Sequence, residues 1–231
     1  MRFNEHFPFY FLLEEDLQTF DNFLKFLNEQ KMEKVYRSCK DQDSSPGHKG
    51  VIIYFMLYTG KGDKGKTKIF ACDQRLSKSS AIAEALGTLD EINSYLGIVK
   101  VKISDQPVIS IIQEIQENLF IIQAGIAGAD KNIGEEKIRE VEDLIAGIEK
   151  EIPPINSFLI SGVCIESAEL DFARTLVRRA ERRVVAVVEE GMIKISTYAI
   201  AYLNRLSSLL YALARLSAHK SGINEQSPSY K

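Results

Sequence analysis

The sequence predicts an all-α fold, a bundle of five helices that follows an N-terminal extension. Three observations predict this class. Apolar residues recur at three- and four-residue spacing in five long stretches after residue 78, which is the pattern of amphipathic helices. The segments between these stretches are short, as in helix bundles. Hydrophobic residues make up 45% of the 231-residue chain and charged residues 26%, which is ordinary for a globular protein with a packed core.

The N-terminal extension is predicted to span residues 1–55. Within it, residues 14–37 predict an amphipathic helix, because apolar side chains recur at helical spacing. These side chains are Leu17, Phe20, Leu24 and Leu27. A polar linker follows at 40–50, and residues 51–58 predict a short strand. Met56 directly precedes the first candidate motif, so either Met56 is the natural start or the extension is dispensable, although its helical pattern favours a genuine element.

The bundle domain is predicted at residues 56–220. Its five helices are expected at 79–101, 108–127, 134–151, 163–190 and 195–219. Pro153 and Pro154 end the third helix, since proline lacks the amide hydrogen that continues a helix. Gly191 ends the fourth helix, because glycine is the usual residue just after a helix end. Residues 221–231 are expected to form a flexible tail.

The overall charge and the rarer residue types exclude several function classes. The net charge is −3 and the pI about 5.8, whereas a nucleic-acid-binding domain is usually strongly basic. No apolar run approaches the ~20 residues that cross a bilayer. Three histidines without ligand spacing argue against a zinc site. Three separated cysteines without a Cys-x-x-Cys pair indicate reduced thiols and a cytoplasmic protein.

The fourth predicted helix carries five arginines and a glutamate within residues 174–183. On a helical wheel, Arg174, Arg178 and Glu181 fall within a wedge of about 60°. Arg179 and Arg183 point about 140–180° away from Arg174, and we expect them at solvent or at a subunit contact. The wedge suits a polyanion such as a nucleoside triphosphate, because arginine binds phosphate in a bidentate manner. Interhelical ion pairs are the alternative.

Two segments near the start of the bundle are candidates for binding an anion. Residues 58–67 contain three glycines, whose backbone amides can wrap a phosphate. Lys61, Lys64 and Lys66 add positive charge to this loop, Thr59 and Thr67 add hydroxyls, and Asp63 is a candidate to hold a metal or to order the loop. Lys78 lies at the N-terminus of the first bundle helix, where anions are favoured. The loop does not match the Walker pattern, and a polar turn followed by a capped helix remains the alternative.

Two polar residues on other helices are further candidates. Asp90 lies close to the apolar stripe of the first bundle helix, and a buried carboxylate there requires a cationic partner. Arg174 or Arg178 is the expected partner, unless Asp90 is a surface carboxylate. Asn204 begins a polar strip on the last helix that continues through Ser208, Tyr211 and Arg215. It is expected to bind a ribose or a base edge, or to belong to a hydrogen-bond network.

Five segments, taken in order, resemble the PduO-type ATP:cob(I)alamin adenosyltransferase family. The family pattern combines a glycine loop, R-x-x-K, G-x-x-D-E-L-N-S, A-R-x-x-x-R-R-A-E-R and N-R-L-S. The matching segments here are Tyr58–Thr67, Arg75–Lys78, Gly87–Ser94, Ala173–Arg182 and Asn204–Ser207. The resemblance covers residues 57 to about 218. It implies a five-helix bundle of the cobalamin adenosyltransferase type, which assembles as a homotrimer with active sites between subunits.

The resemblance implies that cobalt(I) of cob(I)alamin attacks the 5′ carbon of ATP and expels triphosphate, giving adenosylcobalamin. It assigns ATP to Thr59, Gly62, Asp63, Lys64, Lys78, Arg178, Glu181 and Asn204, and it gives Glu181 an indirect role with Mg²⁺. Asp90 and Arg174 resemble the family's salt-bridged pair beside the corrinoid, so Arg178, Asp90 and Arg174 are the expected catalytic residues. Phe158 is similar to a family aromatic that lines the corrin pocket and displaces the lower axial ligand.

Several residues depart from the family pattern. Gly60 stands where the family often has lysine, Ser208 replaces an aspartate, and Leu159–Gly162 replaces Leu-Pro-Gly-Gly. Asp171 replaces a histidine and can pair with Arg174 in place of Asp90. These departures leave an alternative function, an ATP-binding sensor or corrinoid chaperone with little turnover. A second alternative is a structural bundle whose arginines only form ion pairs. A flavoprotein reductase or an adenosylcobalamin-dependent enzyme is an expected partner, and neither nucleic acid nor a membrane is expected.

Overall fold

The structure, a computed structural model, describes residues 60–69, 75–191, 193 and 195–230. The expectations for residues 1–59, including Thr59, lie outside these residues. Two short strands and five helices follow one another along the chain. They are β1 (Lys66–Thr67), β2 (Leu76–Ser77), α1 (Ala81–Lys102), α2 (Gln106–Ile126), α3 (Glu135–Glu151), α4 (Ile165–Glu189) and α5 (Thr197–Lys220). The five predicted helices are therefore confirmed, each within two residues at both ends.

Local sequence signals fix the helix ends. Ser80, Asp105 and Ser196 cap α1, α2 and α5, each accepting a backbone amide hydrogen with its side-chain oxygen. Such caps satisfy amides that have no partner inside the helix. After α4 the chain passes through Gly191 at a φ of +66°, a left-handed conformation that glycine adopts without steric cost. The predicted stop at this glycine is confirmed.

The core lies between the helices, with α4 and α5 forming the most extensive contact. Helix α4 also packs on α1, helix α5 also packs on α3, and α2 packs on α1. The largest fully buried side chains come from four of the helices. They are Leu89, Ile92, Leu96, Ile112, Leu119, Ile126, Leu170, Tyr202, Leu203, Leu206, Leu209 and Leu210. Helix α5 supplies five of these twelve side chains. It therefore runs through the middle of the bundle and exposes only a narrow strip of its surface.

The two strands were not predicted from the sequence. They pair antiparallel, with Lys66 opposite Ser77 and Thr67 opposite Leu76. The pair is two residues long, too short to show the alternating pattern of a strand. It closes the glycine-rich segment into a loop in front of α1.

Residues 221–230, expected as a flexible tail, contain no helix or strand and run back against the residues that follow α3. Among the helices in the described part of the chain, none combines the length and the apolar character needed to cross a membrane.

Candidate active site

The glycine loop, residues 60–67, is built from two consecutive turns. Asp63 N donates to Gly60 O at 3.3 Å, and Gly65 N donates to Gly62 O at 3.1 Å. Gly60 and Gly65 have φ angles of +61° and +69°, which side-chain-bearing residues rarely adopt. The glycines are therefore required by the turns, and the carboxylate of Asp63 and the ammonium of Lys64 extend from them to the exposed surface.

The loop is tied to the start of α1. Lys78 N donates to Gly65 O at 2.9 Å, and the Arg75 guanidinium donates to the carbonyls of Lys66, at 2.8 Å, and Lys61. The Lys78 side chain lies directly over Gly62, since a Cβ atom added at Gly62 would be 2.9 Å from Nζ. The structure thus brings Gly62 and Lys78 together.

Lys78 provides a positive charge at this place. Its ammonium is exposed and has neither a hydrogen bond nor an ion pair to any residue that the structure describes. It stands just before the N-terminus of α1, where backbone amides point outward and the helix dipole favours negative charge. The glycine loop and Lys78 together form a surface that can bind phosphate.

A second polar cluster lies along α4 on the side that faces α5. Asn204 Nδ2 donates to Glu181 Oε1 at 3.0 Å and so links the two helices. One turn and two turns earlier on α4, Arg178 and Arg174 face the same way, and the Arg174 guanidinium carbon is 5.9 Å from the ring centroid of Tyr211. The predicted convergence of Arg174, Arg178 and Glu181 on one face is seen in the structure.

Two of the other arginines of α4 contact α1. Arg179 pairs with Glu91, and Arg183 lies 3.8 Å from Glu84. These four side chains are largely exposed, so each pair contributes only about 0.2–1 kcal/mol. The pairing shows that α1 and α4 run antiparallel. Arg179 and Arg183 were expected at solvent or at a subunit contact, and the structure gives each a carboxylate within its own chain.

A cavity of about 640 Å³ opens beside the second cluster. It lies between α4, α5 and the segment that follows α3. Phe158, 79% exposed, and Arg178 both border it. The complete lining is Ile155, Asn156, Ser157, Phe158, Leu159, Ser161, Asp171, Arg174, Arg178, Ser207, Ser208 and Tyr211. One cavity therefore offers an apolar ring and an arginine that has no partner among the described residues.

Arg174 pairs with Asp171 and not with Asp90. Its Nε donates to Asp171 Oδ1 at 2.6 Å, and Ser161 Oγ donates to the other carboxylate oxygen. Asp171 is buried, whereas Asp90 is exposed and has no hydrogen bond or ion pair within the part of the chain described. The sequence left Asp90 and Asp171 open as partners of Arg174; within one chain the structure shows the pair with Asp171, a partner three residues away on the same helix and already in reach.

Two contacts, one at the cavity and one beyond it, were missed from the sequence. Ser161 was noted only as part of a loop that departs from the family pattern, yet it contacts Asp171, a second departure. Glu225 was assigned to a flexible tail, yet its carboxylate pairs with the buried Arg215. The position of Arg215 at the end of an otherwise apolar turn of α5 was the available signal, because a buried arginine requires an anionic partner.

Glu181 is the candidate carboxylate for binding Mg²⁺ in this cluster. No group of three or more His, Cys, Asp or Glu side chains within the described ranges could hold a metal ion by itself. Magnesium at phosphate sites commonly takes one or two carboxylates together with phosphate oxygens and water. Glu181 has one oxygen occupied by Asn204 and a second oxygen available. The donor set therefore fits Mg²⁺ only as the companion of a bound triphosphate.

The two clusters do not lie side by side on one chain. Lys78 precedes Glu84 by six residues, and Glu84 marks the level of Arg183. Arg178 precedes Arg183 by five residues, in the opposite direction along the bundle. At about 1.5 Å per residue the helical parts of these offsets add to about 12 Å, and Lys78 lies beyond the start of α1. Arg178 also points about 140° away from Arg183 around α4. The glycine loop and the Arg178 side are thus separate surfaces.

Comparison with known proteins agrees with these motifs. The family model described as cobalamin adenosyltransferase matches residues 57–217. The corrinoid adenosyltransferase PduO of Salmonella typhimurium is 37% identical over 177 residues, which are 72% of this chain and 52% of the relative. The corrinoid adenosyltransferase of Bacillus subtilis is 35% identical over 177 residues, 73% of this chain and 90% of the relative. The chain spans about half the length of PduO from Salmonella typhimurium and from Citrobacter freundii.

A solved structure supports the same relationship. It is a phenylalanine-to-histidine variant of a PduO-type ATP:corrinoid adenosyltransferase from Lactobacillus reuteri, complexed with cobalamin and ATP. It superimposes with a TM-score of 0.71 and 28% identity, covering 75% of this chain and 97% of that chain. With a family model matching well over half of the sequence, the chain belongs to the cobalamin adenosyltransferase family.

Proposed function

We propose that this protein transfers the 5′-deoxyadenosyl group of ATP to cob(I)alamin, giving adenosylcobalamin and triphosphate. The observation that carries the proposal is the cavity beside α4, which combines the exposed ring of Phe158 with the guanidinium of Arg178, a group without a partner among the residues that the structure describes. An apolar surface suits the face of a corrin ring, and an arginine suits a phosphate. The transfer requires both ligands at adjoining positions.

In the proposed reaction, an electron pair of cobalt(I) forms the bond to C5′ while the bond from C5′ to the triphosphate oxygen breaks. Negative charge therefore grows on the leaving triphosphate. Lys64 and Lys78 of one copy and Arg178 of another stabilise this charge, because cations close to the triphosphate offset it as it develops. No proton needs to be removed, so the absence of histidine from the proposed site is consistent with the chemistry.

Magnesium would neutralise part of the triphosphate charge when it is bound. Glu181 is the residue that would hold it, through water, with the available oxygen opposite the Asn204 contact. Asn204 fixes the direction of the Glu181 carboxylate by donating to its other oxygen. Asn204 can still bind the ribose or the base of ATP, as expected, because its amide has a second N–H.

The proposed assembly is a homotrimer in which the glycine loop of one copy meets the Arg178 face of another. Its support is the offset of more than about 12 Å between Lys78 and Arg178 along one chain, since neither surface carries both sets of cations alone. Asp90 is exposed on α1 and is available at such a contact. We further propose that Phe158 displaces the lower axial ligand of the corrinoid, and that a reductase supplies cobalt(I) in the cytoplasm.

The test is formation of adenosylcobalamin from ATP, Mg²⁺ and chemically reduced cobalamin, followed by absorbance without oxygen. Arg178→Ala should lower kcat/KM about 10²–10³-fold, the usual effect of removing one stabilising donor. Arg183→Ala is the matched control, because it removes an exposed arginine from the opposite face of the same helix, and it should retain activity. The released product should be triphosphate and not diphosphate. No adenosylcobalamin at any concentration of the unaltered protein would refute the proposal.

A second candidate is an ATP-binding sensor or corrinoid chaperone. The hydrogen bond between Ser161 and Asp171 favours it, because both residues depart from the family pattern and both border the cavity. Binding of MgATP and cobalamin without turnover would support this candidate. A purely structural bundle would be supported by the absence of MgATP binding at millimolar nucleotide.

A further inference from the structure

The cavity wall, residues 153–161, has little support from the core. It contains no helix or strand, and most of its side chains are exposed. A second cavity of about 400 Å³ lies behind it, bordered by Pro153, Ile155, Tyr211 and Arg215 among others. Because Phe158 is 79% exposed and the second cavity lies under the start of the wall, packing contributes little to holding Phe158 in one position.

The C-terminal strap, residues 223–230, supplies contacts that packing does not. Ile160 N donates to Gln226 O at 2.8 Å. The hydroxyls of Ser157 and Ser227 form a hydrogen bond at 2.7 Å. These two contacts bracket Phe158, so the strap runs along the wall on both sides of the residue that borders the cavity.

Arg215 anchors the strap and the wall to each other. It is only 6% exposed. Its guanidinium donates to Pro153 O at 2.9 Å, at the start of the wall. The same group contacts both carboxylate oxygens of Glu225, at 3.0 to 3.3 Å, in the strap. One buried guanidinium therefore joins α5, the wall and the strap, a geometry that the planar donors of arginine allow and a lysine does not reproduce.

We propose that Arg215 and Glu225 are positioning residues, which hold the wall through the strap and so set the shape of the cavity for its apolar ligand. Neither side chain borders the 640 Å³ cavity. Their effect reaches the ligand through Ser157, Phe158 and Ile160. Identification of that ligand as a corrinoid rests on the proposed function, whereas the attachment of the wall does not.

Three variants test the proposal. Glu225→Gln keeps the shape of the side chain and removes its charge, Arg215→Lys keeps the charge and removes the fork, and a stop after Gly222 removes the strap. Lys220→Gln is the matched control, because it breaks an ion pair with Asp105 at the end of the same helix, away from the wall. In each test variant the KM for cob(I)alamin should rise about tenfold or more, since small displacements of positioning groups have large kinetic effects. The KM for ATP should change less than twofold.

A direct measurement of the wall does not depend on turnover. The sequence contains no tryptophan, so Phe158→Trp introduces a single fluorescent reporter. The indole anisotropy should fall when Glu225→Gln, or the stop after Gly222, is added to Phe158→Trp, and it should remain unchanged with Lys220→Gln. Hydrogen exchange at the Ile160 amide should accelerate in the same two cases, because its acceptor is in the strap.

The outcomes separate the two proposals. If the unaltered protein makes no adenosylcobalamin while the anisotropy and the exchange change as described, the proposed function fails and the role of the strap stands. If the three variants fold with unchanged anisotropy and exchange, or if they raise the KM values for cob(I)alamin and ATP equally, the positioning role is overturned. Loss of folding in Arg215→Lys alone would leave the decision to Glu225→Gln and the shortened chain.

Discussion

The pairing of Arg174 with Asp171 makes a measurable prediction. The single variants are Arg174→Gln, Asp171→Asn and Asp90→Asn. The two double variants combine Arg174→Gln with Asp171→Asn or with Asp90→Asn. The single amide oxygen of an asparagine at position 171 can still accept the Ser161 hydroxyl, so this change removes the charge and the acceptor that Arg174 contacts. The coupling energy from each double-mutant cycle then reports which carboxylate Arg174 contacts.

The magnitude follows from burial. Side-chain exposure is 28% for Arg174 and 12% for Asp171, and Arg174 Nε lies 2.6 Å from Asp171 Oδ1. Hydrogen bonds to charged groups contribute about 1.5–3 kcal/mol, and partial solvent exposure of Arg174 favours the lower end, about 1.5–2 kcal/mol. Such a loss lowers the unfolding temperature of a domain of this size by about 3–8 °C. For the exposed Asp90, the coupling should be below about 0.5 kcal/mol.

The assay is urea unfolding of all variants at one fixed protein concentration, because any association stabilises the folded state. A coupling of at least 1 kcal/mol between Arg174 and Asp171, with none for Asp90, supports the pairing seen in the structure. A coupling below about 0.5 kcal/mol for Asp171 together with a larger value for Asp90 would refute the reasoning. That result would mean that Arg174 has its partner on another copy.

Three further predictions concern the core, acid stability and the glycine loop. Tyr202→Phe should destabilise the fold by about 1–3 kcal/mol, because the buried Asn118 amide loses the hydroxyl it contacts at 3.1 Å; thermal unfolding should show partial recovery when Asn118→Leu is added. The pKa of Glu169 lies below its ordinary 4.5, mainly because Lys102 donates to it and secondarily because Tyr95 does. The contribution of Glu169 to the free energy of unfolding is therefore complete above about pH 4.5 and is lost as the pH falls through the lower folded-state pKa. In acid titrations Glu169→Gln should weaken the fall of this free energy with decreasing pH, and an unchanged fall would contradict the prediction. Gly62→Ala places a Cβ 2.9 Å from Lys78 Nζ and should raise the KM for ATP several-fold. Gly147→Ala has nothing within 4 Å; it should leave that KM alone and stabilise the fold by about 1 kcal/mol.

The helices were predictable because two kinds of local signal agree. Apolar periodicity defines each helix, and Ser80, Asp105 and Ser196 mark three of the starts. The pairing of β1 with β2 was not predictable, because two residues carry no periodicity. The pair joins Lys66–Thr67 to Leu76–Ser77, two segments that no local sequence pattern links.

Some residues of the candidate site could be predicted from the sequence and others could not. Arg178 and Phe158 were found because they stand at fixed places in motifs. The partner of Arg174 could not be chosen from the sequence, since Asp171 is close along the helix and Asp90 is close only if the bundle, or another copy, brings it there. Glu225 lies in a polar segment without periodicity, and its contact with Arg215 exists only because the chain turns back after α5.

The hydrogen bond between Ser161 and Asp171 constrains the order in which these two positions can change during evolution. Asp171 keeps its contact with Arg174 whether or not a serine is present, so an aspartate can be acquired first. A serine at position 161 gains an acceptor only after that step. Reversal has the opposite order, because replacing Asp171 first would leave both the hydroxyl and the guanidinium without their shared partner. Homologues with the aspartate and without the serine are therefore the expected intermediates, and homologues with the serine alone should be rare.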